Sequence, residues 1–162
     1  MSGFTFFWQS ESPFSNWHPS PFTHDGVQYN CSEQYMMHQK ALLFGDTEVA
    51  QLIMETDSPR AQKMLGREVR NFDPKVWSEN CISIMVDGCL SKFEQNPALG
   101  AQLLATGKTA VVEASPYDKV WGIGMTADDP RATDPTQWEG QNLLGHVLME
   151  VRDLMNEKLP KS

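Results

Sequence analysis

Apolar residues recur at helical spacing through much of this chain. Leu144, Val147, Leu148, Val151, Leu154 and Met155 share one face, which predicts an amphipathic helix from about Asn142 to Glu157. The longest periodic stretch has Val76, Ile82, Met85, Val86, Cys89, Leu90 and Phe93 at mixed three- and four-residue steps, and Asp73-Pro74 supplies its start signal. Start and stop residues bracket four shorter helices. Ser32 can cap one running from Glu33 to Phe44, which Gly45 ends. Asp46 to Glu55 forms a second, Ser58-Pro59 to Gly66 a third, and Asn96-Pro97 through Leu103-Leu104 to Gly107 a fourth. Strand-like composition marks the opening FTFFW and Ala110 to Ala114, and a tight turn at His24-Asp25-Gly26 leads into a short strand at Val27-Gln28-Tyr29. Between these lie a Pro-, Ser- and Asn-rich stretch before Gly26 and a Gly- and Pro-rich loop from Ser115 to Gly140. The pattern predicts a mainly helical α+β fold with a few short strands. No repeat or linker divides it, so residues 1–162 are expected to form a single domain.

Composition narrows the picture. An apolar content of 40%, with eight Phe and five Trp, suffices for a packed core. No apolar run approaches the roughly 18 residues of a membrane span, and the first residues lack the basic region of a signal peptide. A cytoplasmic protein without membrane attachment is therefore expected. The formal charge of -8 argues against broad adhesion to duplex nucleic acid, though a few local cations could still hold a small anion. Cys31, Cys81 and Cys89 form no CxxC pair, and His18, His24, His38 and His146 show no HxH or HExxH spacing. Reduced, buried thiols are expected, and no metal or other cofactor.

Four places can carry chemistry. On the helix that begins after Cys31, Glu33, Met37, Lys40 and Phe44 fall on one face, with Glu33 and Lys40 about 10 Å apart along the axis. Helical side chains lean toward the N-terminus, so the Lys40 amine is carried toward Glu33. Such a carboxylate can move a proton near an oxocarbenium-like centre, and a desolvated lysine can attack an opened sugar carbon to give a Schiff base. The same spacing also fits a Glu at a positive helix end and a surface Lys. After the AVVEA strand, Tyr117-Asp118-Lys119-Val120-Trp121-Gly122-Ile123-Gly124 sets an indole among glycines, suited either to stacking on a base or to plugging the core. Arg60, Lys63, Arg67 and Arg70 gather cations that fit a phosphate site or a solvated helix face. Gly140-Gln141-Asn142-Leu143-Leu144-Gly145 opens the last helix. Asn142 there is a good N-cap beside free amides that could bind an anion, and Gly145 suits close backbone packing.

Taken in order, Phe14-Ser15-Asn16-Trp17, Cys31-Ser32-Glu33-Gln34-Tyr35 through Gln39-Lys40, Leu65-Gly66-Arg67, Trp77, Lys92-Phe93, Leu103 to Gly107, Glu113, Asp118 to Gly124, Asn142 to Gly145 and Val151-Arg152 resemble the NADAR family, also called YbiA-like. The family name stands for NAD and ADP-ribose, and the blocks cover about residues 4 to 155. The resemblance implies an N-glycosidase. Some members of the family act on phosphoribosylamino-pyrimidine intermediates of riboflavin biosynthesis, and others remove ADP-ribose from guanine. Carried over by position, Glu33 is the catalytic carboxylate and Lys40 the amine that engages the anomeric carbon. Trp77 and Trp121 line or stack on the substrate, and Asp118 and Asn142 make polar contacts. Asn16, Trp17, Arg67, Gly122 and Gly124 are the further substrate-binding positions. Some riboflavin-intermediate enzymes of the family carry an acidic residue after the Trp-Gly pair, where this chain has Ile123. The implied partner is a ribose phosphate or ADP-ribose compound, with ADP-ribosylated nucleic acid as a further candidate. The competing reading is a non-catalytic sensor that binds ADP-ribose or NAD, and a plain interaction domain is the third.

Overall fold

The structure, a computed structural model, describes residues 3–159. Its α+β architecture is mainly helical, with six α-helices and four short strands among the described residues. Contacts divide the chain into two compact units, a continuous one from Pro19 to Asn96 and a split one built from the residues up to His18 and those from Pro97 onward.

The continuous unit opens with an antiparallel hairpin. Strand β1 (Phe4–Phe7) belongs to the split unit; in the continuous unit β2 (Phe22–His24) pairs with β3 (Val27–Tyr29), with Phe22 opposite Tyr29. Asp25 and Gly26 at its tip have φ of 49° and 79°, the left-handed pair that a two-residue turn of this twist requires. Helix α1 (Ser32–Leu43) follows, packed against α2 (Thr47–Met54), α3 (Pro59–Gly66) and α4 (Pro74–Gln95). Being surrounded, its first two turns are buried whatever their polarity, from Ser32 through His38. Two glycines make room for it: a methyl on Gly88 would overlap the Tyr35 ring, and one on Gly66 would overlap the Met37 sulfur. Tyr35 completes the fit by donating its hydroxyl to the Ile84 carbonyl at 2.8 Å. The three following helices start as expected, on the side chains of Asp46, Ser58 and Asp73, each accepting a first-turn N–H. One start differs: Cys31 holds the N-cap position of α1 with no side-chain cap bond, and Ser32 is already helical, its hydroxyl buried in the core.

In the split unit, β1 (Phe4–Phe7) pairs in parallel with β4 (Ala110–Glu113), Phe4 opposite Ala110 and Phe7 opposite Glu113. Helix α5 (Pro97–Ala105) precedes β4, and α6 (Leu143–Glu157) packs on both. Gly145 lets α6 approach the strand, since a Cβ there would collide with the Val111 carbonyl. The loop between β4 and α6 covers an apolar cluster of Val112, Ala114, Ile123, Met125 and Ala132, flanked by Phe4, Phe6, Ala110 and Trp138. Among the described residues no helix is long and apolar enough to cross a membrane.

Candidate active site

Within the continuous unit, α1 brings Glu33 and Lys40 into one electrostatic neighbourhood. Glu33 enters the helix at its second residue and is 5% exposed, because the hairpin and neighbouring helices enclose this end. The helix start is held by Gln34, whose side chain accepts from Asn30 N–H at 2.8 Å and donates to the Ile53 carbonyl at 3.2 Å. Lys40 lies two turns later, half-buried, its Nζ 4.5 Å from the centroid of the Phe72 ring, which in turn meets Phe44 edge-on. Burial lowers the Lys40 pKa below its ordinary value; the Glu33 charge opposes this and the Arg67 charge adds to it. The Lys40 amine thus senses both Glu33 and Arg67. Arg67 is exposed at the end of α3, and Trp77 is half-buried in the first turn of α4.

The expected cationic cluster is only partly available. Arg70 is committed to Asp46, with Nη2 2.9 Å from Oδ1, Nε 3.2 Å from Oδ2 and its backbone N–H 2.9 Å from Oδ2. It also reaches Glu48. Arg60, Lys63 and Arg67 carry no such commitment to a carboxylate among the described ion pairs.

Two groups in this unit were given no role in the sequence reading. Phe72 is the ring beneath Lys40. Lys92, on α4, is 1% exposed, and burial pushes its amine down to about 8 against the pull of the Cys89 and Cys31 thiols nearby. The Cys31 thiol is pushed up to about 11, first by burial and further by the Glu33 charge. A lysine inside the apolar run Cys89-Leu90-Phe93 was the available sign of a buried amine. His38 is buried too, its Nδ1 2.8 Å from the Tyr29 hydroxyl, and burial lowers its pKa.

The split unit holds the remaining candidates. Asn16 and Trp17 lie in a turn that follows β1, Asn16 buried and Trp17 half-buried. Asp118 accepts the Val120 and Trp121 N–H groups at 2.9 and 2.8 Å, so its carboxylate shapes the loop that carries the half-buried indole of Trp121. Gly122 is squeezed against the carbonyls of Asp118 and Glu113, leaving no space for a Cβ, and Gly124 has φ of 75°. Both glycines are therefore required by the backbone itself. Ile123 is fully buried in the apolar cluster, so its side chain faces core.

Asn142 departs from expectation. It sits at the N-cap position of α6 with φ of 53°, yet its side chain caps nothing. The amide instead accepts from Glu113 N–H at 3.0 Å and donates to the Val111 carbonyl at 3.1 Å, pinning the helix start to β4. Fully buried and doubly bonded, it serves the fold where a polar contact to substrate or an anion-binding cap was anticipated. Among the described residues no three His, Cys, Asp or Glu side chains gather as a metal-binding group.

The chain is 46% identical over 145 residues to a protein of Acanthamoeba polyphaga mimivirus named an N-glycosidase, covering 86% of this chain and 85% of that one. It is 32% identical over 140 residues to N-glycosidase YbiA of Escherichia coli, covering 86% and 79% respectively. The solution structure of E. coli YbiA superposes with a TM-score of 0.80 at 30% identity, over 100% of this chain and 91% of that chain. A riboflavin biosynthesis protein of Vibrio vulnificus is 30% identical over 146 residues, and this chain corresponds to 36% of its length. The NADAR domain model matches residues 6–156. The chain belongs to the NADAR domain family.

Proposed function

We propose that this protein is a cytoplasmic, metal-independent N-glycosidase that hydrolyses the bond between ribose and the nitrogen of a base or amine. Its substrates are an ADP-ribosyl adduct of guanine, whose cleavage reverses ADP-ribosylation of the free base or of nucleic acid, or a phosphoribosylamino-pyrimidine of riboflavin biosynthesis. The observation that carries this reading is the pairing on α1 of a buried carboxylate with a lysine whose pKa is lowered by burial. A lowered pKa leaves more of the amine neutral near pH 7, and only the neutral amine is a nucleophile. The names of the mimivirus and E. coli relatives agree with the bond type, and the Vibrio protein's name speaks of riboflavin biosynthesis.

The chemistry needs no group beyond these side chains and water. Glu33 delivers a proton to the ribose ring oxygen; the bond from that oxygen to the anomeric carbon breaks, leaving an iminium to the departing amine. Neutral Lys40 adds to the same carbon. A proton then moves to the amine nitrogen, its bond to the carbon breaks, the base leaves, and Lys40 is left as a Schiff base. Water adds to that imine, releasing the open-chain sugar and the free lysine. Within the continuous unit Arg67 holds the phosphate and Trp77 contacts a flat or apolar part of the substrate. In the split unit Trp17 and Trp121 are substrate-binding positions by the family resemblance alone, and Asp118, Gly122 and Gly124 shape the loop that carries Trp121.

Borohydride trapping during turnover tests this directly, with reduction expected to leave a ribose-derived mass adduct on Lys40. Glu33→Gln is expected to reduce base release by about 10²–10⁴-fold. Full activity of Lys40→Ala with no trapped adduct overturns the covalent route. Tight binding of ADP-ribose by calorimetry, with no release of base or sugar from either substrate, assigns the protein to the sensor class instead.

A further inference from the structure

Phe72 is a large apolar side chain that the core does not claim. It is 40% exposed, in the short turn between α3 and α4. On a loose turn such a ring would fold away from water. This turn is not loose. On one side Arg70 is fixed to the buried Asp46 carboxylate, through its backbone N–H at 2.9 Å and its guanidinium at 2.9 and 3.2 Å. Asn71 follows with φ of 62°, a left-handed step that asparagine tolerates better than most residues. On the other side the Asp73 carboxylate accepts the Lys75 N–H at 2.9 Å and caps α4. The ring is thereby held at a set position against the last turn of α1. There it meets the Phe44 ring at 5.3 Å and an interplanar angle of 66°.

The face of that ring carries the Lys40 amine, with Nζ 4.5 Å from the centroid. This amine makes no ion pair and no hydrogen bond among the described residues. The charges it senses, Glu33 on its own helix and Arg67 at the end of α3, act without touching it. The ring is therefore the contact that locates the head group. A π face suits a lysine that must be charged at rest and neutral when it reacts. It attracts the ammonium through the ring quadrupole, more weakly than a carboxylate would. It leaves the lone pair of the neutral nitrogen unengaged. A carboxylate in its place would retain the proton, and an aliphatic side chain would not hold the head group.

We propose that Phe72 is a positioning residue that seats the Lys40 amine on its π face for attack on the sugar carbon. The attack rests on the N-glycosidase reading above, whereas the seat rests on geometry within the continuous unit.

Two variants separate the face from the apolar cover: Phe72→Leu keeps only the cover, and Phe72→Tyr keeps both. Lys40 would be titrated without substrate by competitive labelling with acetic anhydride, read by mass spectrometry against the exposed Lys108. Loss of the cation–π contact should make Lys40 a stronger acid by about 2- to 30-fold in Phe72→Leu, with Phe72→Tyr near wild type. Base release from ADP-ribosyl-guanine and from a phosphoribosylamino-pyrimidine would be followed in parallel. Phe72→Leu has more neutral amine at pH 7, yet its kcat should fall by about 5- to 50-fold, with KM changed by less than about two-fold. Phe72→Tyr should recover most of that loss. An unmoved Lys40 titration in Phe72→Leu overturns the proposal, as does a kcat that rises with the neutral fraction. A marked fall in Tm for Phe72→Leu also overturns it, since the ring would then be needed for packing. The two readings fail separately. A shifted titration with no base released from either substrate sinks the N-glycosidase reading and leaves the seat standing. Base release that Phe72→Leu matches sinks the present proposal alone.

Discussion

Lys92 shows how one side chain can oppose the fold that holds it. Its amine is fully enclosed on α4, and its folded pKa of about 8 lies below the 10.5 of a free lysine. Between those values the unfolded chain binds more protons than the folded one, so stability rises with pH across that window. Below about pH 8 both states carry the charge and this contribution no longer changes with pH. Lys92→Met removes the titration at similar length. The Tm of wild type relative to the variant should therefore rise between about pH 8 and pH 10 in thermal melts, and stay level below pH 8. A difference that does not change with pH would show that packing, not charge, governs the site. Asn142 and Gly145 act in the opposite sense, both fitted to β4. Asn142→Ala loses two buried hydrogen bonds and a left-handed backbone preference, and should cost about 2–3 kcal/mol in denaturant melts. Gly145→Ala forces a methyl onto the Val111 carbonyl and should cost about 2–4 kcal/mol.

Among the elements, α2 depends on a single residue at its start. The Asp46 carboxylate accepts from Val49 N–H and holds Arg70 through backbone and guanidinium together. Those donors keep its pKa well below the ordinary carboxylate range. A depressed folded pKa contributes stability that is present above the unfolded value of about 4 and lost as pH falls below it. The acid limb of a pH–stability curve should therefore flatten in Asp46→Asn, which should also be less stable than wild type at pH 7. An unchanged acid limb would place the acid-sensitive group elsewhere. Asp46 also marks how far the sequence could be read. Helix starts were legible wherever Pro or a short polar side chain announced them, as at Ser58-Pro59 and Asp73-Pro74, because those signals are local. The turn at Asp25-Gly26 and both outer strands were legible for the same reason. The N-cap of α1 was not, because Cys31 is held there by its surroundings with no side-chain cap bond of its own. Nor was the Asn142 amide, whose partners Val111 and Glu113 are about thirty residues away in sequence, beyond any spacing argument. For the candidate site, the Glu33–Lys40 spacing was legible from helix geometry. The burial that lowers the Lys40 pKa was not, since it depends on Phe72 and on helices that arrive later in the chain.

At the scale of the whole chain, the two units differ in how their cores are closed. The continuous unit draws its hairpin and four helices from one run of sequence, so its contacts form among neighbours. The split unit needs β1 to find β4 across more than a hundred residues, and that parallel pairing is its only sheet among the described residues. Closing so long a loop is entropically costly, and non-local pairing of this kind slows folding. Four register pairs, the Thr5–Thr109 hydroxyl contact at 2.6 Å and the packing of Phe4 and Phe6 on the Ile123 cluster offset that cost. Removal of the residues up to Trp8 takes all of them away together. Hydrogen exchange on such a truncated chain should show rapid exchange across β4 and the first turns of α6, because the strand loses its partner and the Asn142 amide its fixed target. Amides of α1 and α4 should keep their protection, since neither helix draws on β1 for its hydrogen bonds or for the glycine-lined fit of Tyr35. Loss of protection in α1 and α4 to the same extent would mean that the continuous unit folds only after β1 has paired. In that case the lysine and carboxylate on α1 would be assembled last, by the strand pairing most distant in sequence.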